Sequence, residues 1–197
     1  MSDQTRRQKN QPTGSRRNSR EFAFRVIFEA QQGKQEMQDT FSRVLAASRQ
    51  GDTEVYPELT PQAEQFAEDL ALTYDRNQDG VDQALKMSIT GWTFSQMPQT
   101  DVNVLRIAAT EMMFFQTDAP VVIESAIRMA RRFGSDESGR FVNSVLDKLA
   151  RGLQDGSIPR PVKLQAGDQG HEEDPEEIPE EILEELPEDL PTEDETQ

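Results

Sequence analysis

The chain has 197 residues, a formal net charge of −16, no cysteine and a single histidine, His171. A disulfide framework, a zinc site built on Cys or His, and Cys–His or Ser–His–Asp nucleophilic catalysis are therefore closed to the body of the chain, which leaves carboxylate, lysine or cofactor chemistry to any enzyme. The N-terminus has no apolar signal core and no run approaches the ~20 apolar residues of a membrane helix, so the sequence reads as that of a soluble, cytoplasmic protein.

Residues 1–14 are rich in Gln, Asn, Arg and Ser without an apolar period, the composition of a flexible basic arm. Order is expected from Ser15. Phe22, Ala23, Val26, Ile27 and Ala30 form a helical stripe ending near Gly33, and Met37, Phe41, Val44 and Leu45 form a second before Gly51. Thr60 followed by Pro61 is a cap and first-turn signal leading into Ala63, Phe66, Ala67, Leu70, Ala71 and Tyr74, and a shorter helix carries Val81, Ala84, Leu85 and Ile89. Pro98 and Thr100 then open VNVLRIAATEMMFF, which is apolar on nearly every side and reads as a central, surrounded helix.

Two further stripes lie end to end. Ile123, Ala126, Ile127, Ala130 and Phe133 stop at Gly134, expected in the left-handed conformation that ends a helix. Ser135, Asp136 or Ser138 can cap the next, in which Phe141, Val142, Val145, Leu146 and Leu149 are the buried stripe, closing at Gly152. That makes about seven helices and no segment with strand alternation: an all-α single domain, roughly 140 ordered residues, large enough to be stable without metal or disulfide. Residues 15–155 form this domain, and 156–197 read as a disordered acidic tail whose prolines block a long helix.

Charge is distributed unevenly. Residues 168–197 hold fifteen Asp and Glu and no Lys or Arg, whereas the first twenty residues carry Arg6, Arg7, Lys9, Arg16, Arg17 and Arg20 against Asp3 alone. A basic end of this kind suits a nucleic acid or other polyanion, or serves only as a solvated arm. The tail solubilises the chain or, in a sharper reading, competes electrostatically with RNA for the arginines.

Two local signals carry less. Asp75, Asn77, Asp79 and Gly80 imitate the opening of a calcium loop, but its twelfth position is Lys86, whose ammonium would repel the ion, so DRNQDG reads as an interhelical turn with Asp79 near the next helix start. Trp92, Phe94 and Met97 read as core rather than as a ligand pocket.

The joint between the last two stripes concentrates Arg131, Arg132 and Arg140 around Phe141, an arrangement for a partner rather than a reaction. Three blocks resemble the NusB transcription antitermination family over roughly residues 15–153: R16 R17 N18 S19 R20 E21, then P98 to E111 (PQTDVNVLRIAATE), then F133 to K148 (FGSDESGRFVNSVLDK). The resemblance implies two small helical bundles and no cofactor. It also implies binding of boxA-type nascent RNA, together with the small-ribosomal-subunit protein acting as Nus factor E, in the RNA polymerase antitermination complex. By position, Arg16, Arg17 and Arg20 match the family's RNA-contacting start, Arg140 and Phe141 its basic-aromatic pair, and Asp101 the acidic residue at the protein-partner face. Asn18, Ser19 and Ser144 depart from the family's usual Arg or Lys, Ala and Gly, and the acidic tail is not a family feature.

The physics agrees with that implication. Arginine forks bind phosphate and an exposed Phe stacks on unpaired bases. On residues alone Phe141 is as well a core residue, Arg131 and Arg132 as well partners of local acids, and Asp101 as well a first-turn acid. The competing reading of the function is a non-enzymatic interaction adaptor without specific RNA binding. An accessory domain of an RNA methyltransferase is disfavoured, since no stretch could hold its cofactor domain.

Overall fold

The structure, a computed structural model, describes residues 14–49 and 58–160. Among them are seven α-helices: α1 Arg16–Gly33, α2 Met37–Arg49, α3 Pro61–Arg76, α4 Gln78–Ser88, α5 Gln99–Phe114, α6 Ala119–Phe133 and α7 Asp136–Asp155, with one 3-10 turn at Phe94–Gln96. The segments expected to be the arm and the acidic tail lie, apart from Gly14 and residues 156–160, outside the described residues.

α5 is the axis of the fold. It packs against α1, α3, α4, α6 and α7, while α2 packs on α1 and α3. From Asp101 to Met113 every residue except Arg106 is buried, which is what an all-round apolar helix requires. Each large side chain taken out of water here contributes about 1.5–3 kcal/mol.

Two charges on α5, Arg106 and Glu111, are held by partners from other helices. Glu111 is fully enclosed, and Arg106 reaches out to Asp82 on α4 through Nε and Nη2 (2.9 and 2.6 Å) and to Gln31 on α1 through Nη1 (2.6 Å). Gln31 in turn donates to the buried Tyr74 hydroxyl of α3 at 2.8 Å, so four helices share one polar network. Burial works against the charge of Arg106, but the Asp82 hydrogen bonds outweigh it and raise its pKa. Burial likewise pushes the Tyr74 hydroxyl well above its ordinary range.

Helix ends follow local chemistry, with two departures here. Ser15 caps α1 by accepting from the Asn18 amide at 3.2 Å, as the start of order at Ser15 implies. α1 runs to Gly33, yet the left-handed residue is Lys34 (φ 49°), whose amide closes on Ala30 and Gln31 carbonyls. α7 does not close at Gly152 but continues to Asp155, with Gly156 (φ 78°) as its left-handed cap. Gly152 is instead a contact point: a Cβ there would stand 2.5 Å from Ile158 Cδ1. Residues 157–160 fold back over it, with the Ile158 amide on the Gly152 carbonyl (2.9 Å) and Arg160 Nη1 on the carbonyls of Met112 and Met113 (2.9 and 3.2 Å) at the end of α5.

The DRNQDG segment is a tight junction between α3 and α4, with Asp79 in the first turn of α4 and Gln78 Nε2 donating to Asp75 at 3.0 Å. No cluster of three or more metal-capable side chains occurs among the described residues.

Candidate functional site

The start of α1 is wedged between α3, α5 and α6, and its three arginines therefore meet three environments. Arg17 stays half exposed and pairs through Nε with Glu21, one turn on, at 3.3 Å. The second oxygen of Glu21 is held by Arg132 from the last turn of α6. Arg16, on the adjacent face of the helix, lays its guanidinium over the Phe66 ring of α3, 3.9 Å from the centroid.

Arg20 is the correction. It is 5% exposed, and its Nε and Nη2 bind both oxygens of Glu111 at 2.6 Å, so it is a buried structural pair and not a phosphate contact. The reason is geometric: its face of α1 points into α5, where the lone acid of an otherwise apolar turn has no other cation.

From Arg132 the surface continues to the joint of α6 and α7. Arg131 lies across Gly139, where a Cβ would meet its Cγ at 2.8 Å, and pairs loosely with Asp136 at 3.8 Å. Arg140, the next residue, is exposed and pairs with Glu137 at 3.0 Å. Glu21 thus ties the start of α1 to Arg132 in the last turn of α6, and Arg131 of the same turn lies against Gly139 at the start of α7. Exposed pairs of this kind contribute little to stability, about 0–1 kcal/mol each.

The joint is tightly built. Ser135 caps α7, accepting from the Ser138 amide at 3.2 Å while the Ser138 hydroxyl faces the Ser135 amide at 3.3 Å. Gly134 ends α6 without the expected left-handed conformation (φ −124°). Glycine is needed because a Cβ would come within 2.8 Å of the Ala130 carbonyl and 2.7 Å of the Ser138 hydroxyl.

Below the joint is a cavity of about 250 Å³ whose lining includes Trp92, Met97, Asp101, Glu137, Ser138 and Phe141. Phe141 is half buried, with part of its ring against the core. Asp101 sits at the first turn of α5, 4% exposed, with Oδ1 lacking any hydrogen-bond partner. Burial raises its pKa, opposed by the Ser138 hydroxyl.

Trp92 corrects a second expectation: it is 57% exposed at the cavity mouth, whereas Met97 is buried and Phe94 packs on the core as expected. Its position between Gly91 and Thr93, in a short polar stretch after a helix, was the available signal. On the other side of the α5 start, a larger apolar groove of about 390 Å³ is lined by Phe24, Arg25, Phe28, Glu29, Gln32, Thr100 and Phe133, with Phe24 and Phe133 stacked at 4.8 Å. The sequence reading placed no function on this groove.

The model of the NusB family matches residues 17–151, from the first helix through the joint to the body of the last helix. The chain belongs to the NusB family. It is 45% identical over 150 residues to the transcription antitermination protein NusB of Deinococcus deserti, covering 76% of this chain and 89% of that protein. It is 36% identical over 149 residues to the protein of the same name from Thermus thermophilus, covering 75% and 98%. Among solved structures, T. maritima NusB superposes with a TM-score of 0.62 at 24% identity, covering 72% of this chain and 93% of that one. A structure described as antitermination factors NusB and NusE in complex with dsRNA gives 0.61 at 19% identity, covering 70% and 96%. These likenesses share the all-helical fold, and the family's function is transcription antitermination.

Proposed function

We propose that this chain is a non-enzymatic transcription antitermination factor that binds unpaired boxA-type RNA along the surface from Arg17 through Arg132 and Arg131 to Arg140 and Phe141, with Arg16 at its edge. The observation that supports this reading is the junction at Glu21, which holds Arg17 of α1 and Arg132 of α6 together beside the α6–α7 joint. Phosphates track the arginines and bases stack on the rings, the usual division of labour on a single strand. Arg20 supports the strip from beneath by fixing α1 to α5.

So few phosphate contacts give modest affinity, so a second RNA-binding protein held alongside adds the missing contacts. The NusE partner named for the related complex is the natural candidate. For its seat we propose the first turn of α5, where Thr100 borders the aromatic groove and Asp101 follows.

The decisive test measures binding of boxA-like and scrambled RNA with and without that partner. Preference for the boxA-like RNA, strengthened by the partner, is expected. Equal, weak binding to both RNAs in the partner's presence would establish the adaptor reading instead.

A further inference from the structure

Arg17, Arg131, Arg132 and Arg140 lie at the start of α1 and at the α6–α7 joint, and their donors are committed unequally. Arg17 and Arg132 both bind Glu21, and Arg140 donates through Nη2 to Glu137 at 3.0 Å. Arg131 differs. Its one acid within reach among the described residues is Asp136, mostly exposed, with Nε 3.8 Å from Oδ1, beyond hydrogen-bond length. Half exposed itself, Arg131 therefore keeps a planar fork of donors that is the least committed of the four.

Its stem follows a set course. It crosses the first turn of α7 over Gly139, and a Cβ at that position would stand 2.8 Å from its Cγ and 2.9 Å from its Nε. Carbon atoms in contact rest at about 3.5–4.0 Å, so any side chain at 139 would push the arginine off the helix. Gly139 lies within α7 without a positive φ, a conformation that alanine prefers, so the backbone does not call for glycine there. What the missing side chain provides is a bare strip of helix on which Arg131 lies, against the residue that precedes Arg140.

We infer that Arg131, laid across Gly139, binds a phosphate of the nucleic-acid strand, and that Gly139 is the positioning residue that holds it there. This rests on the RNA reading of the surface and adds to it the device that aims one of its cations. A phosphodiester strand is favoured over a protein carboxylate as the occupant. An exposed carboxylate gains little from an arginine, as the loose Asp136 pair shows, whereas a strand also releases the counterions condensed on it.

The test measures binding of a labelled boxA-like RNA, with the NusE partner present, against salt for the native full chain, Gly139→Ala, Arg131→Ala and the double variant. One phosphate neutralised on a single strand changes the slope of log K against log salt by about 0.7, which at 0.1 M salt corresponds to about fivefold in affinity. Arg131→Ala should lose that amount. Gly139→Ala should lose most of it although its arginine is intact, while Tm holds level or rises, because alanine is the better helix former. In the double variant the glycine change should add nothing to the loss, since both act on one contact.

Native affinity and slope in either single variant, or a full further loss when Gly139→Ala is added to Arg131→Ala, would overturn the site while leaving the RNA reading intact. Weaker partner binding in both single variants, with the RNA slope unchanged, would assign Arg131 to a protein carboxylate instead. Absence of salt-dependent RNA binding by the native chain would overturn the RNA reading, and this site with it.

Discussion

Three arginines within five residues of sequence have three different physical roles, and substitution separates them. Arg20→Ala strips the partner from a fully buried carboxylate, so urea unfolding should show a loss of about 3–5 kcal/mol, with much of it recovered when Glu111→Leu is added. Arg17→Ala removes an exposed pair and should shift stability by no more than about 0.5 kcal/mol while lowering RNA affinity and reducing the slope of log K against log salt by about 0.7. If Arg17→Ala unfolds the chain, or Arg20→Ala leaves it stable, the assignment of structural and binding roles is inverted. A hint of the buried pair was present in the sequence. Glu111 is the one acid within the apolar run of α5, and a charge that must be buried requires a partner. Which of several arginines supplies it depends on how α1 turns against α5, and that is not local information.

The helices themselves were the most legible level. Their stripes, the cap at Ser135 and the all-round burial of α5 follow from spacing and composition, because these depend on residues within a turn or two of one another. The end of α7 was misread for the complementary reason. A glycine late in a helical stripe ordinarily marks a terminus, but Gly152 is there to let Ile158 approach, a contact made only when residues 157–160 fold back onto α7 and α5. Gly152→Ala should therefore lower Tm in the native chain, despite the ~1 kcal/mol that alanine gains over glycine inside a helix. In an Ile158→Ala background the same change should raise Tm. A gain in both backgrounds would show that Ile158 does not restrict the position.

Across the chain, charge is segregated. Arg17, Arg131, Arg132 and Arg140 lie at the start of α1 and at the α6–α7 joint, whereas fifteen of the 37 acids fall within residues 168–197. At low ionic strength a field of this size repels RNA from the whole molecule, and salt screens it within about 10 Å at 0.1 M. Removing residues 168–197 should accordingly tighten RNA binding at low salt, with the gain fading as salt rises. Unchanged affinity at low salt would show that this charge does not act on the RNA site.

The sequence by itself determined the number, order and apolar faces of the helices, the central place of α5 and the family to which the chain belongs, because these are set by periodicity, capping and a conspicuous block at the joint. Only the tertiary structure decided which arginines stay at the surface, that Trp92 faces solvent, that Asp101 is buried beside a cavity and that an aromatic groove borders Thr100. Each of these is settled by which helices meet and at what rotation, since a side chain's charge or ring becomes available or enclosed only when a neighbour distant in sequence covers it.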